Sequence, residues 1–195
     1  MPEERSLRIL ALLVLLAAGW GGVAAQAFDP YLSPRLGLSL ATLQNTLEKV
    51  AGPVIFAPRP GSQQGTQEAR LVENAGIIQA GGEPENLAAV VLWLPVDAQG
   101  QLAGAKARPY LNAFVELFTR DSEPVVHWVE AVLERAVVDP GSTPHLESQL
   151  FAAHQFKATY MRTLSPAMLS LTVISAEEWG QQNAECGLWN AECGV

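Results

Sequence analysis

Leu87-Ala88-Ala89-Val90-Val91-Leu92-Trp93-Leu94 is an unbroken apolar run of eight residues, closed by Pro95 and preceded by the turn signal Gly81-Gly82-Glu83-Pro84. Its length, its adjacent valines and its turn boundaries fit a strand covered on both faces better than a buried helix. The run predicts the centre of a sheet. Upstream, Val54–Phe56, Ala69–Glu73 and Ile77–Ala80 are short strand candidates, the last two parted by Asn74-Ala75-Gly76. Pro58–Thr66, rich in Pro, Gly, Ser and Gln, reads as a surface loop.

Helical periodicity flanks these strands. Ser39 is placed as the N-cap of a helix through Val50, with Leu40, Leu43, Leu47 and Val50 on one stripe and Gly52-Pro53 as the stop. After the central run, Ala105–Thr119 carries Tyr110, Phe114, Leu117 and Phe118 on one side, with Pro109 expected to delay its start. Ser122 and Pro124 then open a helix whose apolar face holds Val125, Trp128, Val129, Val132, Leu133 and Ala136, and Asp139-Pro140-Gly141 closes it. His145–Ala153 is expected to be one more short helix. Gln155–Thr163 and Met168–Ser175 read as two strands joined around Ser165-Pro166. Strands grouped in this way, rather than alternating strictly with helices, predict an α+β fold: helices packed on one face of a largely antiparallel β-sheet, in a single domain over residues 28–176.

Gly37-Leu38-Ser39 opening an amphipathic helix, Gly82-Glu83-Pro84-Glu85-Asn86-Leu87 leading into the apolar strand, two helices and a closing hairpin together resemble a family of uncharacterised secreted bacterial α+β domains. Members carry a Gly-Pro-x-Asp/Glu-Asn-Leu turn before a central strand; here Glu83 interrupts the Gly-Pro order. The resemblance spans residues 36–175 and implies a shared fold. It supplies no activity and no functional residues to transfer.

The first 27 residues indicate a compartment. Arg5 and Arg8 lie in a short polar head, Ile9–Ala18 is apolar, and Ala25-Gln26-Ala27 completes the three-part pattern of a secretory signal peptide. The mature chain would begin at Phe28. Residues 9–25 also reach the lower end of the ~17–25 residues of a spanning helix, so a retained anchor is the rival reading. Gly19, Gly21 and Gly22 disfavour it.

A formal charge of −8 and the lack of any Lys/Arg cluster argue against nucleic acid as a partner, and equally against an anionic membrane surface. The expected partner is an envelope protein or a small molecule, with a membrane involved only if the N-terminal segment is retained. Cys186 and Cys193, the only two cysteines, fall in the repeated text Asn-Ala-Glu-Cys-Gly. In an oxidising compartment they are expected to form a disulfide, within a C-terminal tail of residues 177–195. Trp179 and Trp189 stand in that tail among Gly, Gln and Asn. They are candidate binding residues, as aromatic anchors for a partner, or else they fold back over the sheet.

Candidate chemistry is sparse. Glu123, His127, Glu130 and Glu134 share one helical face, and an imidazole with carboxylates at that spacing suits a divalent cation. The same residues equally make a solvated face, because the second histidine of the helical zinc motifs is missing. Gly37-Leu38-Ser39-Leu40-Ala41 has the outline of a nucleophile elbow without the strand that such an elbow needs. His145 and His154 flank Glu147 with no nucleophile beside them. No catalytic residue and no cofactor is assigned. The sequence therefore points first to an exported, non-enzymatic binding domain of the bacterial envelope. The alternatives are a metal-assisted hydrolase built on His127 and nearby carboxylates, and a carrier with an apolar pocket between sheet and helices.

Overall fold

In the computed structural model the apolar run lies at the centre of a seven-stranded sheet. The structure describes residues 35–59, 62, 65–138 and 144–177. Residues 1–27, with the expected signal peptide, and Trp179, Trp189, Cys186 and Cys193 lie outside the described residues. In chain order the elements are α1 (Leu40–Ala51), β1 (Ala57–Pro58), β2 (Gln67–Arg70), a 3-10 turn at Val72–Asn74, β3 (Ile77–Glu83) and β4 (Asn86–Val96). Then follow α2 (Ala107–Glu116), α3 (Glu123–Val138), β5 (His145–Phe151), β6 (His154–Met161) and β7 (Ala167–Ser175).

Every strand pairing is antiparallel, in the order β1-β2-β3-β4-β7-β6-β5. Two meanders, β1–β4 and β5–β7, join through the β4–β7 pair, where Ala89 faces Ile174 and Val96 faces Ala167. The fold is thus the expected α+β arrangement, with the helices stacked on one face of an antiparallel sheet. Between the layers, Leu43 and Leu47 of α1, Tyr110, Leu111 and Phe114 of α2, and Val125, Val129 and Val132 of α3 are buried. They pack with Ile78, Val90, Leu92, Leu94, Phe156, Leu169, Leu171 and Val173 from the sheet. No helix among the described residues is long and apolar enough to cross a membrane.

Several boundaries differ from expectation for physical reasons. β4 is covered on one face only: Val90, Leu92, Leu94 and Val96 are buried, whereas Ala89, Val91, Trp93 and Pro95 are half-buried. Pro95 does not end the strand, because β3 stops opposite Trp93 and the Pro95 carbonyl accepts from the Ala103 amide at 2.8 Å. Its missing N–H therefore removes no rung of the ladder. β3 runs on through Gly81 and Gly82, which shift the register against β4, so that only Pro84-Glu85 is left as the turn.

Val54 is a buried core residue preceding a two-residue strand, rather than the first residue of one. Pro109 falls in the first turn of α2, where an amide has no intrahelical acceptor, so it does not displace the start. Residues 145–151, expected to be helical, form the edge strand β5.

Candidate functional site

Antiparallel register fixes which side chains share the face opposite the helices. Ile77 and Gln79 of β3 lie beside Trp93 and Val91 of β4. Those two pair with Ser170 and Thr172 of β7, which pair with Thr159 and Lys157 of β6, followed by Leu146 and Ser148 of β5. The apolar positions of this face stand among the polar Gln79, Ser170, Thr172, Thr159 and Lys157. Ile77, Val91, Trp93 and Ile174 are half-buried among their neighbours, while Leu146 and Leu150 are 50% and 55% exposed at the β5 edge. No helix among the described residues packs on this side, since all three contribute their buried stripes to the other.

A polar chain crosses the face at its other end. Trp93 Nε1 donates to Gln79 Oε1 at 3.3 Å, and Gln79 Nε2 donates to Glu68 Oε2 at 2.8 Å. Arg59 Nε stands 3.6 Å from that same Glu68 oxygen. Each group constrains the rotamer of the next, the indole included. Beside the chain, a shallow depression of about 500 Å³ is lined by Pro53, Ile55, Ala57, Pro58, Arg59, Glu68 and Arg70. Ile55 is 77% exposed there. Lys157 and Arg70 stand exposed on the face, and neither has an acidic partner among the described residues. The surface thus offers apolar and aromatic contact with positive charge, on a chain whose total charge is −8.

On the helix side, a second cluster joins α3 to β5. Arg135 grips Glu147 through two bonds, Nε to Oε1 at 2.8 Å and Nη2 to Oε2 at 2.6 Å, and His145 Nε2 lies 2.8 Å from Glu147 Oε1. The guanidinium hydrogen bonds hold the Glu147 carboxyl below the usual carboxylate range. The geometry of this cluster is that of a clamp between elements. His154, at the start of β6, packs its ring edge-on against Phe118 at 5.3 Å. Its Nδ1 is buried with no hydrogen-bond partner among the described residues. The Tyr110 hydroxyl is equally buried; desolvation pushes its ionisation up, and the Val72 backbone beside it opposes that shift.

The residues of the sequence-predicted metal site are dispersed. Glu123 Oε1 and His127 Nε2 are 4.0 Å apart on the exposed side of α3. Glu130 instead pairs with Arg108 of α2 at 3.0 Å. Glu134 lines, with Arg108 and Glu130, a separate cleft of about 330 Å³. Among the described residues, no three His, Cys, Asp or Glu side chains converge as metal ligands would. Ser39 is an N-cap, its Oγ accepting from the Thr42 amide at 3.2 Å. Between the sheet and the helices, where an apolar ligand was the third expectation, lie the side chains of the core cluster.

Trp93 was assignable to the core from its place inside an apolar run, and its partners Gln79 and Glu68 carry no motif. Only strand register, which is a property of the folded sheet, brings the three together. The Arg135–Glu147 clamp was hidden by the helical reading of residues 145–153. Comparison with known proteins finds no family model, no curated protein and no solved structure that matches this chain.

Proposed function

We propose that this chain is an exported binding domain of the bacterial envelope, and that the face of the sheet opposite the helices is its partner surface. One observation carries the reading. An antiparallel sheet with one solvated face ordinarily places polar residues outward, yet here Ile77, Val91, Trp93 and Ile174 are among the outward residues, beside Gln79, Ser170, Thr172 and Lys157. Apolar and aromatic residues grouped on an uncovered surface mark interaction sites. The polar chain from Trp93 to Arg59 adds preorganisation, since an aromatic anchor held in one rotamer loses less entropy on binding. Export rests on the leader pattern of residues 1–27, which is a property of the sequence alone.

Affinity purification from the envelope of the native host tests the proposal. A Val91→Lys/Thr172→Lys chain puts two charges on the face without touching the core, and Arg120→Glu alters an exposed residue between the helices as a control. A stoichiometric partner should be retained by the unaltered and control chains and lost at least tenfold by the face variant, whose Tm stays within a few degrees. Equal recovery on all three chains would remove the sheet face as the partner surface.

A further inference from the structure

The sheet face that no described helix covers is adjacent to the point where the chain leaves the sheet. Ile174 lies on that face, and two residues later the Ala176 amide donates to the Ala153 carbonyl at 3.0 Å, fixing the exit beside the β5–β6 turn. The 18 residues beyond Glu177 could span ~60 Å if extended. The longest strand, β4 with 11 residues, measures ~36 Å. The segment is therefore long enough to cross the whole face from its exit point.

Its composition complements that face. Residues 178–195 contain Glu178, Glu185 and Glu192 and no Lys or Arg, together with Trp179, Leu188 and Trp189. The face offers Ile77, Val91 and Trp93 at its centre, with Lys157 and Arg70 exposed toward its two sides. An acidic aromatic segment thus starts beside an apolar surface that carries positive charge, and the covalent tether raises its effective concentration to the order of millimolar.

We infer that the chain's own C-terminal segment 178–195 is the occupant of the open sheet face, docking through its tryptophans with its glutamates toward Lys157 and Arg70. The inference rests on the reading of that face as a binding surface, and it makes an external partner a competitor of the tail. The same tryptophans then act in cis, and a partner gains access to Trp93 only by displacing them.

A benzophenone side chain placed at position Thr172, between Val91 and Lys157, reports the occupant of the full chain after irradiation. The expected product is an intramolecular adduct to a peptide from 178–195. Its yield should be unchanged by tenfold dilution and should fall several-fold in a Lys157→Glu/Arg70→Glu chain. A probe at Ser148, nearer the β5 edge, repeats the measurement should the first probe itself block docking. Adducts between two copies, adducts to other segments only, or no adduct at either position would each overturn the tail as occupant. The two readings fail separately. Adducts to an external protein in the native host, with none to the tail, would leave the partner surface standing without its cis occupant. Tail adducts combined with partner recovery indifferent to Val91→Lys/Thr172→Lys would do the reverse.

Discussion

Glu147 shows how much a single side chain can hold together at the boundary of two elements. Its carboxylate takes both bonds from Arg135 of α3 and a contact from His145 on its own strand. Arg135 is half exposed, so solvent screens the pair and the contribution belongs to the modest range. Glu147→Gln should cost about 1 kcal/mol at pH 7, measured as a shift in the urea midpoint. The folded-state ionisation is lowered, so the stabilisation is present above the unfolded carboxyl value of about 4.3 and is lost as pH falls through the lower folded value. The gap between the two chains should therefore close between pH 4 and the acid limit of folding. A gap that persisted undiminished under acid would mean that packing, and not charge, carries the effect.

At the scale of the element, β4 and β5 show why one strand was legible in the sequence and the other was not. The run 87–94 was legible as a strand from its short length, adjacent valines and turn boundaries, though not in its one-sided burial. In His145–Phe151 the apolar residues Leu146 and Leu150 are four apart, a spacing that puts two side chains on one side of a helix and equally of a strand. Ser148 lies between them on the same face, a strand pattern too polar to announce itself. Backbone constraints were legible in type but not in consequence. Gly76 marked a turn in the sequence, but only the fold shows that it stands at φ 154° against the Trp93 carbonyl, which an added Cβ would strike. Gly104 also has positive φ, 90°, and nothing near it. Gly104→Ala should therefore cost about 1–2 kcal/mol for backbone conformation alone. Gly76→Ala should cost at least about 2 kcal/mol more, because β3 and β4 must part to admit the methyl group. Paired thermal melts decide this, and equal losses would refute the contact between Gly76 and β4 as the cause.

Across the whole molecule, the two meanders are local in sequence and the seam between them is not. β3–β4 and β6–β7 close through short turns, whereas β4 and β7 bring Ala89 to Ile174 and so enclose α2, α3 and two strands in one loop. Grouped strands in the sequence indicated a largely antiparallel sheet and one fold class, but nothing in the residues themselves specifies that the fourth strand pairs with the last. That choice is made by burial: Leu92 meets Leu171 and Val90 meets Val173 on the helix-covered face, and all four are fully buried. Neither meander can cover these side chains alone, so the halves should unfold as one cooperative unit. Native-state hydrogen exchange tests this directly, because amides of β4, β6 and β7 should share the same, highest opening free energy. Leu171→Ala removes buried volume at the seam and should lower that shared value by about 2–5 kcal/mol, and by the same amount in β3 as in β6. A loss confined to β6 and β7, with β3 and β4 unchanged, would show that the first meander and its helices hold together without the seam.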